Sequence, residues 1–351
     1  MVSTVNAYAH VNIKSLKNNK IILNAPQLNL KTEGLIDYKN GKLDIKIESQ
    51  LLLLKCAVEV SLRYANAIGK TLSGIEVTTH NDDAFSYKLT NNKITKSGLG
   101  SSAAITVAAV KGVLKIYGFE DNEVIHKLAQ VAHALATGKV GSGFDIAAAT
   151  YGSIVYVRYS PEIVKSFPVE YTNLQLLELI NKKWDYKIEK FLLPKQFRIV
   201  FATFINEAMI TTKAVGSVSE FKLKNNKLYK KLITELNLEN EKAINALSNF
   251  DSHRFLDAFD KGRVLLKKLG SYSNIDIEPD DCTELIEESK KNGAFACRLP
   301  GAGGKDAIAA LCLNEKDEMQ LRDFWSSKKN LQVFEIELES FGNKKEVASK
   351  L

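Results

Sequence analysis

Residues 96–104 read Lys-Ser-Gly-Leu-Gly-Ser-Ser-Ala-Ala and run straight into an apolar helical stretch at 105–116. This junction constrains the fold more than any other segment of the chain. Glycine lets backbone N–H groups turn inward where a Cβ would stand in the way. The helix that follows adds orphan donors and a partial positive charge at its N-terminus. Together they make an anion cradle, most often for a phosphate. The cradle donors are those of Gly98, Leu99, Gly100, Ser101, Ser102 and Ala103, and Lys96 puts a cation at the mouth. Either serine hydroxyl can add a hydrogen bond or a magnesium ligand, with Ser102 favoured. The bland alternative is a Gly-Ser loop closed by an ordinary helix cap, since a short motif match is only a hypothesis.

Two further glycine turns weigh against that alternative. Residues 138–145 read Gly-Lys-Val-Gly-Ser-Gly-Phe-Asp and lead into a small-residue run. Residues 299–306 read Leu-Pro-Gly-Ala-Gly-Gly-Lys-Asp between two strand-like runs. In this order and wording the three loops resemble the GHMP kinase superfamily. Within it they are most similar to the phosphomevalonate kinase branch, which reads GLGSSA, then GSGFD ahead of an alanine run and YGS, then PGAGG. Here these segments are KSGLGSSAA, GKVGSGFDIAAATYGS and PGAGGKDA.

The resemblance implies ATP and Mg2+ as cofactor and ion, and a phosphorylated mevalonate as acceptor. It places Asp145 beside the acceptor oxygen as a base or an orienting carboxylate. Helix capping by Asp145 is the plain alternative. Lys139 would hold an anion, with Ser142 and Gly143 near the acceptor. Thr212 and Lys213 match the family's acceptor-contacting run after the first strand of the second domain, although a bare helix start fits nearly as well. Gly301, Ala302 and Gly303 would shape the third loop, with Lys305 and Asp306 as a solvated turn and a strand cap. Mevalonate kinases carry a magnesium-binding glutamate eleven positions before the matching aspartate. Here that position is Ala134, preceded by His133, which favours the phosphomevalonate branch. His133 itself reads as structural.

The family usually opens with A-P-G-K, which this chain does not contain. A start missing from the chain is the favoured explanation, and a member without the first-motif lysine the other. The latter motivates a rival class, a non-catalytic ligand-binding relative. Mevalonate kinase and mevalonate-phosphate decarboxylase are the alternatives among enzymes.

Composition fits an enzyme with a sizeable core. The chain has 351 residues, 45% hydrophobic and 25% charged, near globular averages. The net charge of +7 is spread over lysine-rich turns, which suits small anionic substrates. It forms no basic stripe with interleaved aromatics, so no nucleic acid is expected as partner. There is no signal segment or membrane-span run. The four cysteines form no CxxC pair, and no zinc spacing is visible. Buried free thiols at Cys297 and Cys312 and a reducing cytoplasm are the simplest reading. Monomer or homodimer stays open.

The pattern predicts an α+β protein with the two-domain GHMP kinase fold. An N-terminal nucleotide-binding domain with a βαβ unit occupies 1–193, and a C-terminal ferredoxin-like substrate domain 194–351. Strands are expected at 7–13, 21–30 and 43–48, a helix at 51–68, and a hairpin joining 75–80 to 85–89. Helices follow at 105–117 and 123–136, and a strand at 153–159. The second part reads as a strand at 197–204 and helices at 215–236, 239–248, 252–269 and 282–292. Strands at 294–299 and 307–313 flank the third loop, ahead of a helix at 315–327 and a last strand at 331–338. That skeleton is ferredoxin-like.

Overall fold

A computed structural model of the chain describes residues 1–88, 94–191, 193–194, 196–205, 211–249 and 251–339, the side chains of 211–215 excepted. The chain divides into two compact units. One holds 1–85 and 99–191, the other 86–98 and 192–351. A single cut after residue 193 therefore does not describe the division, because 86–98 goes with the second unit.

The first unit begins with β1 (Ala9–Leu16), β2 (Lys20–Ala25), β3 (Leu30–Ile36), β4 (Leu43–Asp44), α1 (Leu52–Ala67) and β5 (Gly74–Asn81). The run at 21–30 is two strands. Pro26 cannot donate to a ladder, and a 3-10 turn at Pro26–Leu28, closed by left-handed Asn29, reverses the chain. The sheet order is β1-β5-β2-β3-β4. β2 and β5 pair in parallel, Ile21 opposite Ile75, so the chain between them must cross over, and α1 lies on that crossover. β5 thus has both edges filled, by β1 and β2, and the expected hairpin at 75–89 does not form. β6 (Ser86–Lys88) instead pairs with β7 (Ile94–Lys96) inside the second unit.

α2 (Ser101–Ile116), α3 (Asn122–Thr137) and α4 (Phe144–Tyr151) follow. Ile21, Leu23, Leu62, Ile75, Val110, Leu128 and Ile146 are among the side chains of their shared core, each at most 1% exposed. α2 lies close on β1 at Gly112, where an added Cβ would come within 2.8 Å of Ile13. Glycine in a helix interior costs about 0.5–1 kcal/mol, so the close approach explains its presence and helps set where the α2 N-terminus stands. β8 (Ile154–Val157), α5 (Glu162–Lys165), α6 (Asn173–Asn181) and β9 (Lys187–Lys190) complete the unit, with β8 and β9 antiparallel.

The second unit carries β10 (Arg198–Phe204), α7 (Thr211–Lys224), α8 (Asn226–Ser248), α9 (Ser252–Tyr272), α10 (Asp280–Lys291), β11 (Ala296–Arg298), β12 (Ala307–Cys312), α11 (Glu315–Ser326) and β13 (Leu331–Phe334). The helical region breaks at Asn225 rather than near residue 237. Asn225 leaves helical geometry at φ −134°, whereas 226–248 hold no glycine or proline to interrupt them. The strand order β11-β12-β10-β13, with antiparallel neighbours throughout, is the ferredoxin-like arrangement. All four cysteines are buried free thiols. Among the described residues no helix is long and apolar enough to cross a membrane.

Candidate active site

The first glycine loop connects β7 to α2. Gly98 and Gly100 both sit at left-handed φ, +81° and +80°. Gly100 is the N-cap of α2, and no side chain caps that helix. By contrast Asp121, Thr172, Asp251 and Asn314 each accept from the first turns of α3, α6, α9 and α11. At α2 the N-cap is itself a glycine, and α4, α8 and α10 likewise receive no hydrogen bond from an N-cap side chain. Ser101 and Ser102 are half-buried, and the Ala103 methyl is packed in the core, so Ala103 offers only its backbone. Lys96 is exposed. Just ahead of Gly98, the Ser97 hydroxyl is fully buried and has no hydrogen-bond partner.

Within the first unit, the second loop meets the first. A Cβ on Gly100 would lie 3.8 Å from Cβ of Asp145. Asp145 is half-buried in the first turn of α4, whose N-cap is Gly143. It is thus not the capping residue. Its Oδ1 accepts the Ile146 N–H at 2.9 Å. The loop leaves α3 at Gly138, where Thr137 Oγ1 donates to the carbonyls of His133 and Lys139. Arg158 Nη2 donates to the Val140 carbonyl at 3.2 Å. Lys139 and Ser142 are exposed. His133 is held below the usual histidine range, chiefly by burial, with Asp145 pulling it up and Lys139 pushing it down. That agrees with its structural reading, and puts both charged groups within electrostatic reach of one imidazole.

In the second unit, the third loop runs from β11 to β12. Gly303 is packed against Ile277, and the Gly304 N–H donates to the Ile277 carbonyl at 2.7 Å. The next residue, Glu278, is gripped by Arg263 through two hydrogen bonds of 3.1 and 2.8 Å. Gly301 is exposed and Ala302 half-buried. Lys305 pairs with Asp281 at 2.6 Å. Asp306 is more than a strand cap, because its Oδ2 would lie 3.8 Å from a Cβ on Gly98. Desolvation pushes its carboxyl above the ordinary range although the residue as a whole is exposed. Thr212 and Lys213 belong to the first turn of α7, but their side chains lie outside the described residues.

Sequence reasoning missed the residues behind the second loop: His126, Gln130, Arg158 and Tyr159. The signal was present in α3, where His126 and Gln130 stand four apart on one helix face with His133. Among the described residues no cluster of three His, Cys, Asp or Glu could cage a metal ion. Ser101 and Ser102 belong to the cradle segment itself, and the Asp145 side chain lies beside Gly100.

The family model for the N-terminal domain of GHMP kinases matches residues 53–153, and the model for the GHMP kinase C-terminal region matches 263–330. The peroxisomal phosphomevalonate kinase of Arabidopsis thaliana is 30% identical over 294 residues, covering 67% of this chain and 58% of that protein. The phosphomevalonate kinase of Saccharolobus solfataricus is 30% identical over 258 residues, covering 73% of this chain and 70% of that protein. The alignments with the plant protein and with that of Gibberella zeae span 58% and 62% of those relatives' lengths. Streptococcus pneumoniae phosphomevalonate kinase, solved in complex with phosphomevalonate and AMPPNP, has the same fold. Its TM-score is 0.71 at 17% identity, covering 94% of this chain and 89% of that one.

Proposed function

Because the chain belongs to the GHMP kinase family, we propose that it transfers the γ-phosphoryl group of ATP to 5-phosphomevalonate, giving 5-diphosphomevalonate and ADP. The observation that carries the reading is the placement of Asp145 against Gly100, the N-cap of α2. An acceptor-handling carboxylate thereby adjoins a phosphate cradle. The acceptor itself is supported by the phosphomevalonate kinases about 30% identical to this chain.

Phosphoryl transfer asks a protein mainly for positioning and charge. Backbone donors from Gly98 to Ala103 hold the nucleotide phosphates, with Lys96 at the mouth. Ser102 is the proposed magnesium ligand. Magnesium, when bound, neutralises charge on the polyphosphate.

The acceptor oxygen belongs to a phosphate monoester, whose second ionisation falls near pH 6. Above pH 7 it is already largely ionised, so Asp145 has little proton to remove. A carboxylate also repels a phosphate unless a cation stands with it. Lys139, on the same loop and acting with Asp145 on His133, supplies that charge. Asp145 is therefore assigned to orientation of the acceptor and its cation rather than to proton removal. Ser142, Gly143, Gly301, Ala302, Gly303, Thr212 and Lys213 are the proposed acceptor contacts. The test is the initial rate of ADP release with ATP and magnesium, offered 5-phosphomevalonate, mevalonate or no acceptor. The reading expects release that depends on 5-phosphomevalonate, and equal rates in all three would sink it.

A further inference from the structure

The turn that carries Asp145 is held from behind by a side chain outside all three loops. We propose that Gln130 is a positioning residue that fixes this turn through the Gly143 carbonyl, and so sets the turnover rate without touching either substrate. The proposal rests on the kinase reading above.

Gln130 lies on α3 and is 4% exposed. Its amide is used in full. Nε2 donates to the Gly143 carbonyl at 2.9 Å and lies 3.0 Å from His126 Nε2, while Oε1 accepts from the Tyr159 hydroxyl at 3.2 Å. The same Gly143 carbonyl accepts the Ala147 N–H at 3.0 Å, the first bond of α4. Gly143 stands at φ +71°, and a Cβ there would fall 2.5 Å from both Nε2 and Oε1 of Gln130. The amide thus both grips the carbonyl and abuts the Cα, two residues before Asp145.

Its orientation is fixed by its neighbours. His126 is fully buried, its ring packed edge-on against Tyr151, Tyr156 and Tyr186 at 5.5, 6.2 and 4.8 Å between centroids. Burial drives its pKa down to about 3, so the imidazole is neutral. Because the Gly143 carbonyl can only accept, the amide nitrogen must face it, and His126 Nε2 then accepts from that nitrogen in the Nδ1–H tautomer. Rotating the amide by half a turn would set Oε1 against both the Gly143 carbonyl and an accepting His126 nitrogen, and Nε2 against Tyr159. One orientation satisfies all three partners.

A well-satisfied core glutamine with no bearing on catalysis would show the same bonds, so the test must separate the two. Gln130→Met keeps the length and packing and removes both donors and the acceptor. Amide exchange is read on peptides spanning 141–151 in the full chain without substrate, with 122–129 as control. Turnover, the KM for 5-phosphomevalonate and calorimetric ATP affinity are read in parallel. The proposal expects faster exchange at 141–151 and a kcat lower by roughly 10- to 100-fold, the range a small misplacement produces. ATP affinity should stay within about twofold, because the nucleotide phosphates are assigned to the earlier loop. Unchanged exchange overturns the proposal, as does faster exchange with an unchanged kcat. If Gln130→Met does not fold, Gln130→Glu is read by the same criteria, since it keeps the acceptor for Tyr159 and loses the amide donor. Exchange needs no turnover. Faster exchange in the variant, beside a wild type inactive on every acceptor, would retain the hold on Gly143 and remove only the kinase reading.

Discussion

Replacing Asp145 by asparagine should separate what this residue does for the reaction from what it does for the fold. The structural share is small. Asp145 is in the first turn of α4, where a negative charge is worth about 0.3–1 kcal/mol, and Oδ1 accepts one N–H, that of Ile146. Asparagine keeps an oxygen for that bond. The loss of stability should therefore stay under about 1 kcal/mol, or no more than roughly 4 °C in Tm for a unit of this size. The functional share is larger. Losing the charge that orients acceptor and cation should lower kcat about 100-fold, equivalent to roughly 2.7 kcal/mol of barrier. ATP affinity should hold. Rates of ADP release would be measured from pH 6 to 8.5 beside calorimetry and a melting curve. The acceptor phosphate loses its own proton near pH 6, so an orienting role predicts a deficit that stays constant over this range. A deficit that fades as the acceptor ionises would make Asp145 a base. A kcat within threefold of wild type would remove it from catalysis, and a fall of 10 °C in Tm would make its role structural.

Gly100→Val should abolish calorimetric ATP binding. Its side chain would stand beside Asp145 at a φ of +80°, strained by about 1–2 kcal/mol and blocking close approach to the backbone, and wild-type affinity would refute the cradle. Lys139→Met should raise the KM for 5-phosphomevalonate at least tenfold and leave ATP affinity alone, and an unchanged KM would take Lys139 out of the acceptor site. Arg263→Met should destabilise the second unit by about 3 kcal/mol or more, read by chemical denaturation. It leaves Glu278 buried without its charged partner, and a loss under 1 kcal/mol would show that the pair does not brace the third loop.

The loops were legible because their chemistry is local. Left-handed glycines followed by a helix are written in consecutive residues, as at Gly98 and Gly100 or at Gly143 ahead of Phe144. α1, α2, α3 and the ferredoxin-like strand order could be read from periodicity and spacing. What was not legible depended on competition for partners. The segment 75–89 has the alternation and the Asn-Asp-Asp turn of a hairpin, yet β5 spends both edges on β1 and β2, and β6 turns to β7. No local pattern announces that 86–98 leaves the first unit. The turn at Pro26 did carry its own signal, since proline cannot continue a ladder. The support behind Asp145 was half-visible. Two polar residues, His126 and Gln130, stand four apart on one face of α3, but the partners Gly143 and Tyr159 are 13 and 29 residues from Gln130. Asp306 was read as a cap because sequence gives no view of Gly98 beside it.

The most direct measurement of the central claim is the phosphorus NMR spectrum of the product formed from ATP, magnesium and 5-phosphomevalonate. The account predicts a new pair of coupled diphosphate resonances on the mevalonate skeleton, growing in step with ADP. ADP formed without any new phosphorus–phosphorus coupling on that skeleton would contradict it.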